Sequence, residues 1–329
     1  MMKTLKSMAL VAMAAMALVS CQKNNVAGIE PDGYKNVNFS LGTKASGSTP
    51  ETTVDNIQIS VFDQDCNYVA GGRGSGEQIS LKVPVGVDNF LVCAVANGAD
   101  NNLYKISDLN TLKASRSVLG TSGNFFEMFR IKDKVSLRNN ETCTLEVKRF
   151  AAKVEIDAIK DSIQYDHTLT INKIYLINVN TNVSFDFTTR KEDMVYKQSG
   201  GYKSDENGVT PFTYQTISNS TPLTKDGEYK TVHSFYCYPN PVTSETGNYK
   251  FTRLVVEATL DGTLYYYPVN LAGEGFPNGI ESNKVYKITQ LTIAGPGSKN
   301  ADTPVTKETL SFHVEVTGWE NGASQAVTI

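Results

Sequence analysis

The sequence predicts an all-β protein made of two sandwiches, with one minor helical crossover. Three observations carry this. Apolar residues recur at every second position, helical periodicity is scarce, and the apolar runs are separated by loops rich in Gly, Ser, Thr, Asn and Pro. Alternation of this kind places one set of side chains on the core face of a strand and the other on its outer face. The length of 329 residues, at roughly 100 to 200 per domain, suggests two such bodies.

The chain opens on Met1-Met2-Lys3-Thr4-Leu5-Lys6, a short basic start, and continues into an uncharged run from Ser7 to Ser20 rich in Ala, Met, Leu and Val. This is the pattern of a signal peptide over 1–20. The run is shorter than the roughly 20 apolar residues of a permanent span, and polar Gln22 and Lys23 follow at once. Next comes Tyr34 to Gly42, where Val37, Phe39 and Leu41 alternate with polar neighbours, and then Thr43 to Thr53, a polar stretch suited to an exposed, cleavable loop.

A first series of strands is expected within 45–149. Ile57, Ile59 and Val61 alternate with Gln58 and Ser60, Ile79, Leu81 and Val83 with Ser80 and Lys82, and Leu145 and Val147 flank Glu146. Gly71 to Gly76 is expected to be a loop between strands, since Gly72-Arg73-Gly74-Ser75-Gly76 lacks the spacing of a phosphate loop. Ile106 to Leu119 is the helix candidate. A second series fills 150–329: Val154 and Ile156, Leu169 and Ile171, Ile174 to Val179, then Leu254 to Ala258 and Leu264 to Val269 joined by Asp261-Gly262, a tight-turn dipeptide. Val285 to Ile293 follows. The clearest alternation is last, Leu310, Phe312, Val314 and Val316, and Ala326-Val327-Thr328-Ile329 can extend or pair with it.

Charge points to no polyanion: Lys plus Arg number 31 against 34 for Asp plus Glu, without long single-sign runs, so no nucleic-acid partner is expected. Cys66, Cys93, Cys143 and Cys237 are too few and scattered for a disulfide scaffold; three pairings are open on paper, and Cys93, inside Phe90 to Val95, reads as a buried thiol. His167, His233 and His313 are far apart without metal-ligand spacing, so no metal is assigned, and no cofactor. No Gly-x-Ser-x-Gly elbow occurs, and Asp63 with Asp65, or Asp186 with Asp193, read as loop carboxylates, so no catalytic residue is assigned and the chain is not expected to be an enzyme. Tyr265 and Tyr267 share one face of a strand and suit either core packing or a sugar platform.

Four stretches carry a family resemblance. Leu18-Val19-Ser20-Cys21 resembles a bacterial lipobox. The others are Asn36 to Ala45 followed by Val54 to Phe62, Leu145 to Ile156, and the tail from Leu310 through Trp319 to Ile329. In this order they resemble the FimA-type fimbrillins, lipidated subunit precursors of the type V pili of Bacteroidales. The resemblance implies two tandem transthyretin-like sandwiches, 45–149 and 150–329. It implies signal cleavage between Ser20 and Cys21, acylation of Cys21, and a propeptide 21–44 whose Val37, Phe39 and Leu41 plug an incomplete sandwich. Processing would fall between Lys44 and Ala45; the family's better known site is an Arg, which leaves the protease open. Leu310, Phe312, Val314 and Val316, in a region of about 305–329, would be the strand donated to a neighbour.

The implied partners are other fimbrial subunits, the outer membrane through the lipid, and a host or bacterial surface receptor; the implied location is a surface fimbria. A stalk subunit, an anchor or a tip component all fit this pattern, and a surface glycan-binding lipoprotein is the alternative from another class. Asp161-Ser162-Ile163 resembles the O-glycosylation motif of such bacteria, with Ser162 as acceptor.

Overall fold

The architecture was obtained as a computed structural model, which describes residues 33–42, 51, 53–84, 88–119, 126–137, 142–197, 214–217, 221–273, 276–319 and 325–328. The N-terminal half contributes β1 (Tyr34–Gly42), β2 (Asn56–Phe62), β3 (Tyr68–Ser75), β4 (Gln78–Pro84), β5 (Phe90–Ala96), β6 (Arg116–Val118), β7 (Met128–Val135), β8 (Thr142–Glu146) and β9 (Lys148–Arg149). They form a three-stranded sheet in the order β4-β1-β8 and a five-stranded sheet in the order β3-β2-β5-β7-β9. Both sheets contribute to one core.

Residues of β2 and β5 are buried on both faces, which explains the uninterrupted apolar run Phe90 to Ala96. Ile57, Ile59, Val61, Phe90, Val92 and Ala94 join the N-terminal core. Phe62, Leu91, Cys93 and Val95, the alternate set, join a second core shared with the C-terminal half. Burial pushes the Cys93 thiol up to about 12, and the Cys237 thiol likewise to about 12, so both are inert packing groups. Cys93, Cys143 and Cys237 are free, so Cys66 and Cys237 are not paired.

Two local expectations are corrected. The helix is only α1 (Leu109–Ala114), begun by the Asp108 side chain accepting from Thr111 N at 2.7 Å. It stops because 116–118 pairs instead as β6. The glycine run is strand rather than loop: a Cβ at Gly72 would stand 2.5 Å from Leu81 Cδ2, and one at Gly74 2.9 Å from the carbonyl oxygen of Gln78. At Gly72 the leucine could yield, but at Gly74 the obstacle is backbone, so glycine there lets β3 lie this close to β4 as the hairpin turns from one sheet into the other.

The C-terminal half begins with β10 (Ala152–Ile156) and β11 (Ile159–Asp161). It continues through β12 (Leu169–Ile177), β13 (Val179–Asn180), β14 (Asn182–Ser184), β15 (Tyr196–Lys197), β16 (Tyr214–Thr216), β17 (Glu228–Tyr229) and β18 (His233–Cys237). It closes with β19 (Arg253–Leu260), β20 (Thr263–Asn270), β21 (Lys284–Ile293), β22 (Leu310–Gly318) and β23 (Gln325–Thr328). One sheet runs β16-β12-β19-β20. In the other, β10 and β11 lie end to end along one side of β21, parallel to it, and β22 lies antiparallel on its other side. The Asp261-Gly262 hairpin is present, with φ of 48° and 78° at its two residues. Tyr267 is fully buried with its hydroxyl donating to the Gly295 carbonyl at 3.1 Å, and Lys299 Nζ sits 3.7 Å from the Tyr265 ring centroid, so this pair packs the fold.

The halves are joined by more than the chain. β6 pairs antiparallel with β14. Phe150 packs at a tilt against Phe185 and Phe187 at centroid distances of 5.1 and 4.9 Å, and Phe129 lies 5.3 Å from Phe185.

This seam also holds a buried acid. Glu127 is 4% exposed, its Oε1 accepts from Ala99 N at 3.2 Å, and burial pushes its carboxyl up to about 7. A folded pKa above the unfolded one means that the native state holds the extra proton between about 4.5 and 7. Stability therefore falls as pH rises through that window, by up to about 3 kcal/mol. Glu127→Gln should remove this slope in urea titrations at pH 5 and pH 8; a slope that persists in the variant would refute the assignment.

Candidate functional site

The feature that separates this fold from a closed sandwich is the place of its first strand. β1 is central in its sheet, antiparallel to β4 from Tyr34↔Pro84 to Ser40↔Gln78 and parallel to β8 from Asn38↔Thr142 to Gly42↔Glu146. β4 and β8 have β1 as their common neighbour and are not paired with each other. Val37 and Phe39 are fully buried and Leu41 nearly so, each burial worth roughly 1.5 to 3 kcal/mol. Ser40 and Thr144 hydroxyls lie 3.0 Å apart, and Leu41 N donates to the Glu77 carbonyl at 2.9 Å. Withdrawing β1 would leave an apolar slot bounded by two unpaired strand edges.

Past Gly42 the chain is next described at Glu51, which is firmly held. Arg149, with no exposed surface, donates from Nε and Nη2 to the Glu51 carbonyl at 2.9 and 2.7 Å. Lys153 Nζ lies 2.9 Å from the Glu51 carboxylate, and the Tyr236 hydroxyl donates to it. Burial opposes the Glu51 charge, but the bonds from Tyr236 and Lys153 outweigh it and hold the carboxyl below its usual range. The same Arg149 guanidinium lies 4.9 Å from the centre of the Trp319 ring, which stacks on Tyr236 at 5.8 Å and 13°. Trp319 N donates to the Asn283 carbonyl at 3.0 Å. Thus Glu51, after β1, and Trp319, the first residue after β22, meet at one arginine.

β22 pairs with β21 from Lys284↔Gly318 to Ile293↔Leu310, and β23 pairs with β22 from His313↔Thr328 to Val316↔Gln325. Leu310 and Val314 are buried; Phe312 and Val316 are half-buried against the same core. In this state the tail is the chain's own strand. Ser20, Cys21, Lys44 and Ala45 lie outside the described residues. Ser162 is half-buried, and the neighbouring Asp161 carboxylate is used internally, 2.5 Å from His167 Nε2 and accepting from Ile163 N at 3.0 Å. The bond from His167 to the Tyr165 carbonyl and the pair with Asp161 outweigh burial and raise the imidazole's pKa.

Sequence reasoning singled out Val37, Phe39, Leu41 and the β22 residues and missed Glu51, Arg149, Lys153 and Tyr236. One signal was available. Period two from Leu145 and Val147 puts Arg149 on their inward face, and an inward arginine in a strand requires partners.

No family model matches the chain. Solved structures do match it over most of its length. A proposed cell adhesion protein from Bacteroides eggerthii superposes with a TM-score of 0.65 at 18% identity, covering 90% of this chain and 98% of that one. A fimbrillin, FimA, from Porphyromonas gingivalis gives 0.61 at 15% identity, with 86% and 97% covered. The chain has the fimbrillin fold. The tip fimbrial protein Mfa3 of the same organism, truncated at its C-terminus, gives 0.53 at 14% identity, with 87% and 99% covered. At these identities the fimbrillin likeness speaks for architecture, and function has to be argued from the strands themselves.

Proposed function

We propose that this protein is a structural subunit of a surface fimbria that polymerises by strand exchange. The observation that supports it is the β4-β1-β8 sheet, in which a single terminal strand is the common partner of two others. Each half, 45–149 and 150–329, acts as a transthyretin-like sandwich, and β1 occupies the place of a missing strand in the first. The exported chain is cleaved between Ser20 and Cys21, acylated on Cys21, carried to the outer membrane surface and trimmed between Lys44 and Ala45. β1 then leaves the slot, and the tail of a second copy or another fimbrial subunit enters. Length and pattern agree: β1 and β22 are both nine residues, and Leu310, Phe312, Val314 and Val316 repeat the alternation of Val37, Phe39 and Leu41. Backbone pairing would supply affinity and the alternate pockets specificity. The filament then presents its exposed faces to a host or bacterial surface.

The test is brief treatment of the full chain with a lysine-specific protease, followed by N-terminal sequencing, intact mass and electron microscopy. The expected result is a new terminus at Ala45, loss of the Tyr34–Gly42 segment, and ladders or filaments. A trimmed chain that stays monomeric would overturn the reading.

A further inference from the structure

A cavity of about 590 Å³ opens at the seam between the halves, beside the β6–β14 pair. Its lining carries five cations, Lys113, Arg116, Arg130, Lys148 and Arg190, against two carboxylates, Asp186 and Asp193. The chain as a whole has a formal net charge of −3, so this concentration of positive charge runs against the composition. Arg116 is neutralised by Asp193 at 2.7 Å. Asp186 is occupied in its own turn, accepting from Thr188 N at 2.9 Å. Lys113, Arg130, Lys148 and Arg190 form no ion pair with a described residue.

An aromatic residue in an unusual conformation completes the lining. Phe187 has φ of 61°, a left-handed backbone that a bulky side chain seldom adopts. A turn bond from Phe187 N to the Ser184 carbonyl at 2.9 Å accompanies it, and the ring packs 4.9 Å from Phe150. Phe187 is half-buried and lines the cavity, with Asn110 and Thr188 as exposed polar groups nearby in the lining. Cations without an ion-pair partner among the described residues, an aromatic ring and short polar side chains around one seam cavity make a site for an anion with an apolar face.

The geometry points to an acidic-saccharide site: the carboxylate of a uronic acid held by Arg130, Lys148 and Arg190, with the apolar face of its ring against Phe187. Inorganic phosphate has no face to offer Phe187. A neutral sugar has no charge for the cations. The assignment is independent of strand exchange, because the cavity belongs to the unprocessed chain.

The test is calorimetric titration of the unprocessed full chain with a glucuronate-containing disaccharide, methyl glucoside and inorganic phosphate. The disaccharide should bind with Kd on the order of 1 mM or tighter, weakening as salt is raised. Arg130→Gln with Lys148→Gln should weaken it at least tenfold, and Lys225→Gln, an exposed lysine elsewhere, should not. Phe187→Asn keeps a residue tolerant of the left-handed backbone and should weaken the disaccharide while leaving phosphate unchanged. The assignment is overturned if the disaccharide fails to bind, if methyl glucoside or phosphate binds as tightly, or if the Arg130/Lys148 pair of changes has no effect in a folded chain.

Discussion

Phe39→Ala should destabilise the sheet around β1 by about 3 to 5 kcal/mol, the range for truncating a fully buried phenylalanine. Phe39 has no exposed surface and stands between Ile79 and Cys143 in the pairing register. Its loss opens a cavity on the inward face of β1, where Val37 and Leu41 are also buried. The same energy appears as easier departure of β1, so the open state should grow roughly 150- to 5,000-fold. Amide exchange in β4 and β8 is the direct measurement, since those strands share β1 as their partner. Asn38→Ala, on the exposed face of the same strand, should change stability by less than about 0.5 kcal/mol. Equal effects of the two substitutions would show that β1 is not held by its inward face.

The contrast between these neighbours marks how far the sequence could be read. Alternation at Val37, Phe39 and Leu41 identifies an inward face, and the structure buries all three. What alternation cannot tell is the partner, because period two has no direction: parallel pairing with β8 and antiparallel pairing with β4 leave the same pattern in β1. Doubly covered strands such as β5 lose the alternation altogether and are legible only as apolar runs. The glycines of β3 read as loop in the sequence for a related reason, since the closeness of β4 at Gly74 is a tertiary fact. Short α1 follows the same rule, its C-terminal side taken by pairing to β14. The seam cavity was out of reach as well, for Lys113, Arg130, Lys148 and Arg190 lie in separate segments and none is remarkable by spacing.

Arg149 is the residue where a single change should reach both ends of the chain. Its guanidinium meets the carbonyl of Glu51, seven positions beyond Lys44 of the proposed processing site, and the ring of Trp319, the residue that follows β22 in the proposed donor region. Arg149→Met keeps much of the volume and removes the donors, leaving the Glu51 carbonyl without them. The expected cost is about 2 to 4 kcal/mol, combining unsatisfied acceptor and lost cation–π contact. Arg149→Lys should recover less than half of this, because an ammonium cannot make the forked pair of bonds and lie flat against an indole at once. Trp319 is the chain's single tryptophan, so its emission reports on this junction alone. A red shift is expected in Arg149→Met, and a similar shift in the wild-type chain once the segment before Glu51 has been trimmed. Should trimming leave the emission unchanged while filaments form, the arginine would be a fixed brace of the seam, and the tail would be released by some other contact. If emission and assembly move together, loss of the plug and readiness of the donor are linked through one buried side chain.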